Sequence, residues 1–207
     1  MAATARCRLL CLGSLGAFLL LAVTVWATGV LPGDVQVHEE LVGAQASLAS
    51  KFFRYMNFVG TWRVLIPVGV VLFWLSREAK RHPWLWLGAL AAAGIGERLF
   101  KLLIGRERPN SPSSGFPSGH TTAITAFAVI VVYLAARERL SPAWRRTIQI
   151  TALGVMVLVG LARVVTNRHW PSDVLGGLLL GMACGAAAAW WDSAVAEPRA
   201  SDVETRA

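Results

Sequence analysis

Acidic residues are scarce in this sequence: 12 Asp and Glu stand against 20 Lys and Arg in 207 residues, and charged residues make up only 15% of the chain. A soluble domain carries about a quarter charged residues, so an ordinary water-facing surface is excluded. Cysteine is equally sparse. Cys7, Cys11 and Cys184 are odd in number, lie in or beside apolar stretches and form no CxxC pair, which supports neither a disulfide framework nor a zinc site. Leu10 before Cys11 is not the small residue expected ahead of a lipoprotein cysteine. The net charge of +8 is scattered and forms no basic stripe, so no nucleic-acid partner is expected. Membrane lipid headgroups and phosphorylated substrates suit cations dispersed between apolar runs better.

What is abundant is hydrocarbon: 55% of residues are hydrophobic and the mean hydropathy is +0.53. Residues 9–33 contain no charge and follow Arg6 and Arg8. Val25-Trp26-Ala27 faintly resembles a cleavage site, but the run is long for a signal peptide, and a retained transmembrane helix is expected. Five more spans are expected near 58–76, 83–104, 119–136, 146–165 and 171–191. Their charge-free cores fall short of the ~20 residues a full span needs, so each draws on flanking residues such as Arg63, Glu97 or Arg98. Six such elements with almost no polar face leave nothing to cover a soluble core.

The expected fold is therefore all-α, a six-transmembrane-helix bundle. Residues 1–33 form the first span behind a short cytoplasmic N-terminus, 34–57 an extracytoplasmic amphipathic helix, 58–191 a five-helix core and 192–207 a disordered cytoplasmic tail. In 34–57, Leu41, Leu48, Phe52, Met56 and Val59 share roughly one helical face, with Glu39, Glu40, Gln45 and Lys51 elsewhere. An ordinary connecting helix accounts for this stretch equally well. His38 and His82 fall in connecting segments and are expected on the solvated surface. With the N-terminus inside, eleven of the 20 cations lie on the cytoplasmic side. That bias is weak, but the 77–81 and 137–146 loops are dense in cations and hold no candidate chemistry, so they mark the inner face.

Three polar clusters then share the outer side. Lys101 lies seven residues before Arg108-Pro109, Pro117-Ser118-Gly119-His120 opens the fourth span, and Arg163 precedes His169 and Asp173. A charge beside hydrocarbon costs roughly several kcal/mol unless it is used. A helix start is a ready anion site; Ser118 can cap it or donate to an anion, and Gly119 lets a phosphate approach the backbone. Asp173 lies four residues after His169, in reach to fix its tautomer and stabilise its charged form. Two histidines on one side allow division of labour, one attacking phosphorus and the other protonating the leaving oxygen. Lys101, Arg108 and Arg163 would neutralise the equatorial oxygens as charge builds, so neither metal nor cofactor is expected. Read alone, a cation at a helix end merely snorkels to headgroups. Three clusters on one face make that account weaker.

These blocks, in this order and at these spacings, resemble the type 2 phosphatidic acid phosphatase superfamily, the lipid phosphate phosphatases, over roughly residues 55–190. The resemblance implies a core fold shared with vanadium haloperoxidases and soluble bacterial acid phosphatases. It implies that His169 is a nucleophile forming a phosphohistidine, oriented by Asp173, that His120 is the general acid, and that Lys101, Arg108, Ser118, Gly119 and Arg163 bind the phosphoryl group. Two positions depart from the pattern: Ala162 replaces a usual serine, and Thr166-Asn167-Arg168 replaces a more apolar stretch, adding a cation beside the nucleophile. The expected activity is metal-independent hydrolysis of a lipid phosphate or diphosphate at the outer face of a bacterial plasma membrane. Undecaprenyl diphosphate is the first candidate, ahead of phosphatidic acid and phosphatidylglycerophosphate. A non-catalytic lipid-binding or transport protein on the same scaffold, or a vanadate haloperoxidase, are the alternatives.

Overall fold

Long apolar runs become long helices. The computed structural model describes residues 2–43 and 47–196. In chain order it contains α1 (Ala2–Thr28), α2 (Pro32–Gly43), α3 (Ser47–Val59), α4 (Trp62–Leu75), α5 (Arg77–Arg81), α6 (Pro83–Ile104), a hairpin of β1 (Glu107–Arg108) and β2 (Ser111–Ser114), then α7 (Gly119–Arg137), α8 (Pro142–Val165) and α9 (Pro171–Ala196). Four helices, α1, α7, α8 and α9, are long and apolar enough to cross a membrane, and the bent pair α3–α4, which turns by 57°, makes a fifth if taken as one span. The protein is an integral membrane protein. Helix α6 is 22 residues long, but Glu97, Arg98 and Lys101 crowd its last two turns.

The close packing of α7 on α9 positions the chemistry. Gly177, Gly181 and Gly185 recur every fourth residue along α9. A Cβ on Gly177 would stand 2.7 Å from the Ser118 carbonyl oxygen, one on Gly181 2.7 Å from Thr125 Cβ, and one on Gly185 2.7 Å from Val129 Cβ. Small residues let backbones meet at this range in lipid. Any side chain there would push the start of α7 away from the start of α9. On the other side α9 carries α1, which buries Phe18, Ala22 and Val25. Phe18 stacks on Phe116 with ring centroids 5.8 Å apart. The first helix is thus part of the core. It runs antiparallel to α9, so its C-terminus lies at the end of the bundle where α9 begins.

Three boundaries differ from expectation. The 34–57 stretch is two helices, α2 and α3, packed on α8 and, for α2, on α9; Gln45 lies outside the described residues. The 105–118 connection departs from the all-α expectation, since it contains the small antiparallel hairpin. Helix α9 continues to Ala196 instead of giving way to a tail at 192, because Asp192 is buried and bonded to Tyr133, Arg137 and His82. The remainder of the expected tail, 197–207, lies outside the described residues.

Candidate active site

Three chain reversals at one end of the bundle build the site. Helix α6 stops at Gly105, whose φ of 64° is the left-handed cap conformation that glycine adopts without strain. The hairpin then turns the chain: Arg108 Nε donates to the Ser114 carbonyl at 3.2 Å, and Gly115 N–H donates to the Arg106 carbonyl at 2.6 Å. The chain enters α7 at Ser118, whose backbone N–H donates to the Asp173 carbonyl at 2.9 Å, linking the second cluster to the third. After α8 the return is tighter. The N–H groups of Arg168 and His169 both donate to the Arg163 carbonyl, at 3.0 and 3.1 Å. Asn167 at φ 56° makes this turn possible, a conformation asparagine tolerates better than most residues.

His169 is buried, at 1% exposure, and its Nδ1 lies 3.1 Å from Asp173 Oδ2. With Nδ1–H donating to the carboxylate, Nε2 is the nitrogen that keeps its lone pair. Burial pushes the imidazole down to about 4, against the opposing pull of Asp173, and the nearby charges of Arg163 and Arg108 push the same way as burial. His169 is therefore neutral at pH 7. Asp173 also accepts the Trp170 N–H at 3.0 Å, closing the first turn of α9 as an N3 carboxylate does in a capping box. Its other oxygen is taken by Arg106.

His120, at the start of α7, lies within electrostatic reach of His169, Arg163, Lys101 and Arg108. It lines a cavity of about 780 Å³ together with Arg163, Asn57, Arg54, Thr166 and Arg168. Arg163 is buried; its Nη1 donates to Asn57 Oδ1 at 3.0 Å, while its Nε has no partner among the described residues. A buried guanidinium N–H without an acceptor calls for an anion or water. Arg108 spends only Nε on the protein among the described contacts. Ser118 is fully buried and makes no cap bond; its Oγ instead accepts from Thr121 Oγ1 at 3.0 Å, which leaves its own proton to donate. Gly119 faces Glu97: a Cβ there would stand 2.7 Å from Glu97 Oε1. Glu97 is ion-paired with Lys101 on the same helix. Of the eight residues expected from sequence, His120 and Arg163 thus line the cavity, His169 and Asp173 lie behind it as a pair, and the others surround the start of α7. Among the described residues, no group of three His, Cys, Asp or Glu is gathered as for a metal ion.

Sequence reasoning missed several participants. Arg106 is buried and bonds Asp34 Oδ2 at 3.2 Å, Ser172 Oγ at 2.9 Å and the Gly29 carbonyl at 3.2 Å, besides Asp173. Asp34, 3% exposed on α2, also accepts from Ser172 N–H at 2.8 Å and Ser172 O–H at 2.5 Å. His38 is not a solvated surface residue: its Nε2 pairs with Asn167 Oδ1 at 2.9 Å and its ring sits 5.0 Å from that of Trp170. His82 is not free either, since its Nδ1 lies 2.7 Å from Asp192 Oδ1. Asn57, the hinge between α3, Arg163 and Thr166, carried no sequence signal. Arg168 is exposed at the cavity wall.

The model of the PAP2 superfamily matches residues 82–196. The chain is 28% identical over 175 residues to phosphatidylglycerophosphatase B of Bacillus subtilis, covering 80% of this chain and 86% of that one. It is 30% identical over 158 residues to decaprenylphosphoryl-5-phosphoribose phosphatase of Mycolicibacterium smegmatis, covering 66% and 78%. In fold it is similar to the crystal structure of a transmembrane PAP2-type phosphatidylglycerolphosphate phosphatase from Bacillus subtilis, with a TM-score of 0.77 at 22% identity over 94% of this chain and 98% of that one.

Proposed function

The chain belongs to the PAP2 superfamily, and on that premise we propose that it is a metal-independent lipid phosphatase working through a phosphohistidine. The observation that carries this reading is the paired His169–Asp173 within electrostatic reach of His120 and beside cations whose donors are incompletely used. His169 Nε2 attacks phosphorus while Asp173 holds Nδ1–H and stabilises the imidazolium that forms. His120 donates a proton to the leaving oxygen, then takes one from the water that cleaves the N–P bond. Arg163, Arg108, Lys101, the Ser118 hydroxyl and the first amides of α7 at Gly119 receive the charge that builds on the equatorial oxygens. A neutral His169 at pH 7 suits a nucleophile, because protonation would consume its lone pair.

The substrate is a membrane lipid carrying a phosphate monoester or diphosphate. The cavity at His120 is larger than one phosphoryl group needs and is walled by Arg54, Asn57 and Arg168. That favours a substrate with a second polar or anionic group next to the scissile phosphate. Undecaprenyl diphosphate stays the first candidate and phosphatidylglycerophosphate the second, with phosphatidic acid behind. The two relatives named above act, by their names, on a glycerophospholipid phosphate and on a polyprenyl-linked sugar phosphate. Six spans complete the reading: α1, the bent α3–α4, α6, α7, α8 and α9. The α1 and α9 ends remote from the site, with the 77–81 and 137–146 cations, face the cytoplasm, so the site faces outward at the plasma membrane of a bacterium.

The test is phosphate release by purified protein in detergent against polyprenyl diphosphates, phosphatidylglycerophosphate and phosphatidic acid, with and without a metal chelator. Release from at least one lipid, unaffected by chelator, is expected. No release from any of them favours a lipid-binding protein, and loss in chelator with recovery in magnesium contradicts a site built from side-chain cations alone.

A further inference from the structure

Behind the His169–Asp173 pair stands a second charged layer to which the reaction described above gives no task. Asp34 on α2, Arg106 just after α6, and Ser172 and Asp173 on α9 form one buried network. Arg106 is placed between two carboxylates, bonding Asp34 with one terminal nitrogen and Asp173 with the other. It is buried and also lies over the Phe116 ring, 5.6 Å from its centroid. Asp34 is outside the matched family region of 82–196, yet it accepts the Ser172 N–H in the first turn of α9, beside the cap that Asp173 makes.

Resting on the phosphatase reading, we infer that Arg106 and Asp34 are positioning residues of the reaction, which set through Asp173 how strongly His169 is oriented and how readily it takes a proton. The coupling is electrostatic. Asp173 alone would hold His169 with a full negative charge and favour the imidazolium, which cannot attack. Arg106 draws on the other oxygen of the same carboxylate and weakens that pull. Asp34 in turn moderates Arg106, so the three groups together carry one net negative charge. In a buried site these contributions are little screened. The other charges facing His169 are Arg163 on α8, Arg108 on β1 and His120 on α7; His38 on α2 reaches the same turn through Asn167. All of these stay fixed when only Arg106 or Asp34 is changed.

The opposing signs give the test. The acid limb of kcat/KM is measured for the wild type, Asp34→Asn, Arg106→Gln and the double variant, on one lipid phosphate whose own ionisation contributes equally to all four. Asp34→Asn should move the limb to lower pH and Arg106→Gln to higher pH, each by roughly half a unit to one unit. The double variant restores the net charge and should return toward the wild-type limb. A wholly structural network predicts lower activity in every variant with limbs that do not move, and that result overturns the inference. Should Arg106→Gln fail to fold, Asp34→Asn alone decides: a lowered limb supports the inference and an unmoved one contradicts it. An inactive wild type would instead remove the phosphatase reading beneath it.

Discussion

Two charged networks sit at opposite ends of the same helices, and only one of them borders the cavity at His120. At the far end, Asp192 on α9 takes Arg137 at 2.6 Å, Tyr133 at 2.7 Å and His82 at 2.7 Å. Glu78 on α5 receives Arg137 at 3.2 Å and Arg81 at 2.9 Å, and Glu138 accepts from Ser76 at 2.6 Å and from the Glu78 N–H at 2.9 Å. The residue types match those of the site: carboxylates, arginines and a histidine. The difference is closure. At the far end the carboxylates and Arg137 satisfy one another, and the network pins α5, α7 and α9 together. At the site end Arg163 keeps an orphan Nε, Arg108 keeps its terminal nitrogens, and a 780 Å³ cavity opens at Arg163 and His120. Functional chemistry is marked by unmatched cations beside a cavity, not by the presence of charge in a membrane chain.

The sharpest way to break this contrast is to remove a histidine from each end. His169→Ala should lower kcat by roughly 10³-fold or more while the protein remains folded. His82→Ala should leave kcat of the folded protein nearly unchanged and lower its thermal stability by about 1–3 kcal/mol. If His82→Ala removes turnover as fully as His169→Ala does, the two networks are not functionally distinct.

The arginines sharpen it next. Arg163→Gln should reduce kcat/KM by roughly 10²–10³-fold, since it withdraws a preorganised donor from the transition state. Arg137→Gln leaves Glu78 and Asp192 short of their cation. It should destabilise by about 3 kcal/mol, read as a fall in melting temperature in detergent, with kcat little altered. Equal loss of stability from both substitutions, with neither affecting rate, would contradict the comparison.

The smallest effect is a shift in pH dependence. An unperturbed histidine near 6.5 would lose half its neutral form close to that pH. His169, pushed down to about 4 by burial, stays neutral from pH 7 down to about that value and becomes protonated below it. After the substrate's own ionisation is allowed for, the acid limb of kcat/KM should therefore lie near pH 4. A limb near 6.5 would mean that His169 is more solvated, or more strongly held by Asp173, than the site's geometry implies.

Much of the site was legible because its chemistry is concentrated in short runs. Pro117-Ser118-Gly119-His120 and the His169 to Asp173 interval are local, and the turn into α9 brings a carboxylate four residues on back to the ring. The long apolar runs likewise announced α1, α7, α8 and α9. What escaped notice is non-local. Asp34 looks like an ordinary acid in a mixed connection, and its partner Arg106 is 72 residues away. A lone acidic residue directly after the 25-residue charge-free run of 9–33 was the available signal. Arg106, two residues before Arg108, did not stand out because sequence does not tell which of two neighbouring arginines turns inward. His38 was missed because its partner Asn167 comes from the far side of α8.

The central claim is a covalent bond between His169 and the phosphoryl group of a lipid. Brief mixing with a lipid labelled in its terminal phosphate, an alkaline quench that preserves phosphohistidine, and peptide mass spectrometry test it directly. The phosphoryl group should be found on His169 in the wild type, accumulate when His120 is replaced by glutamine on a substrate with a good leaving group, and be absent from His169→Ala. Turnover with no phosphorylated peptide at any time, or the label on a residue other than His169, would contradict it.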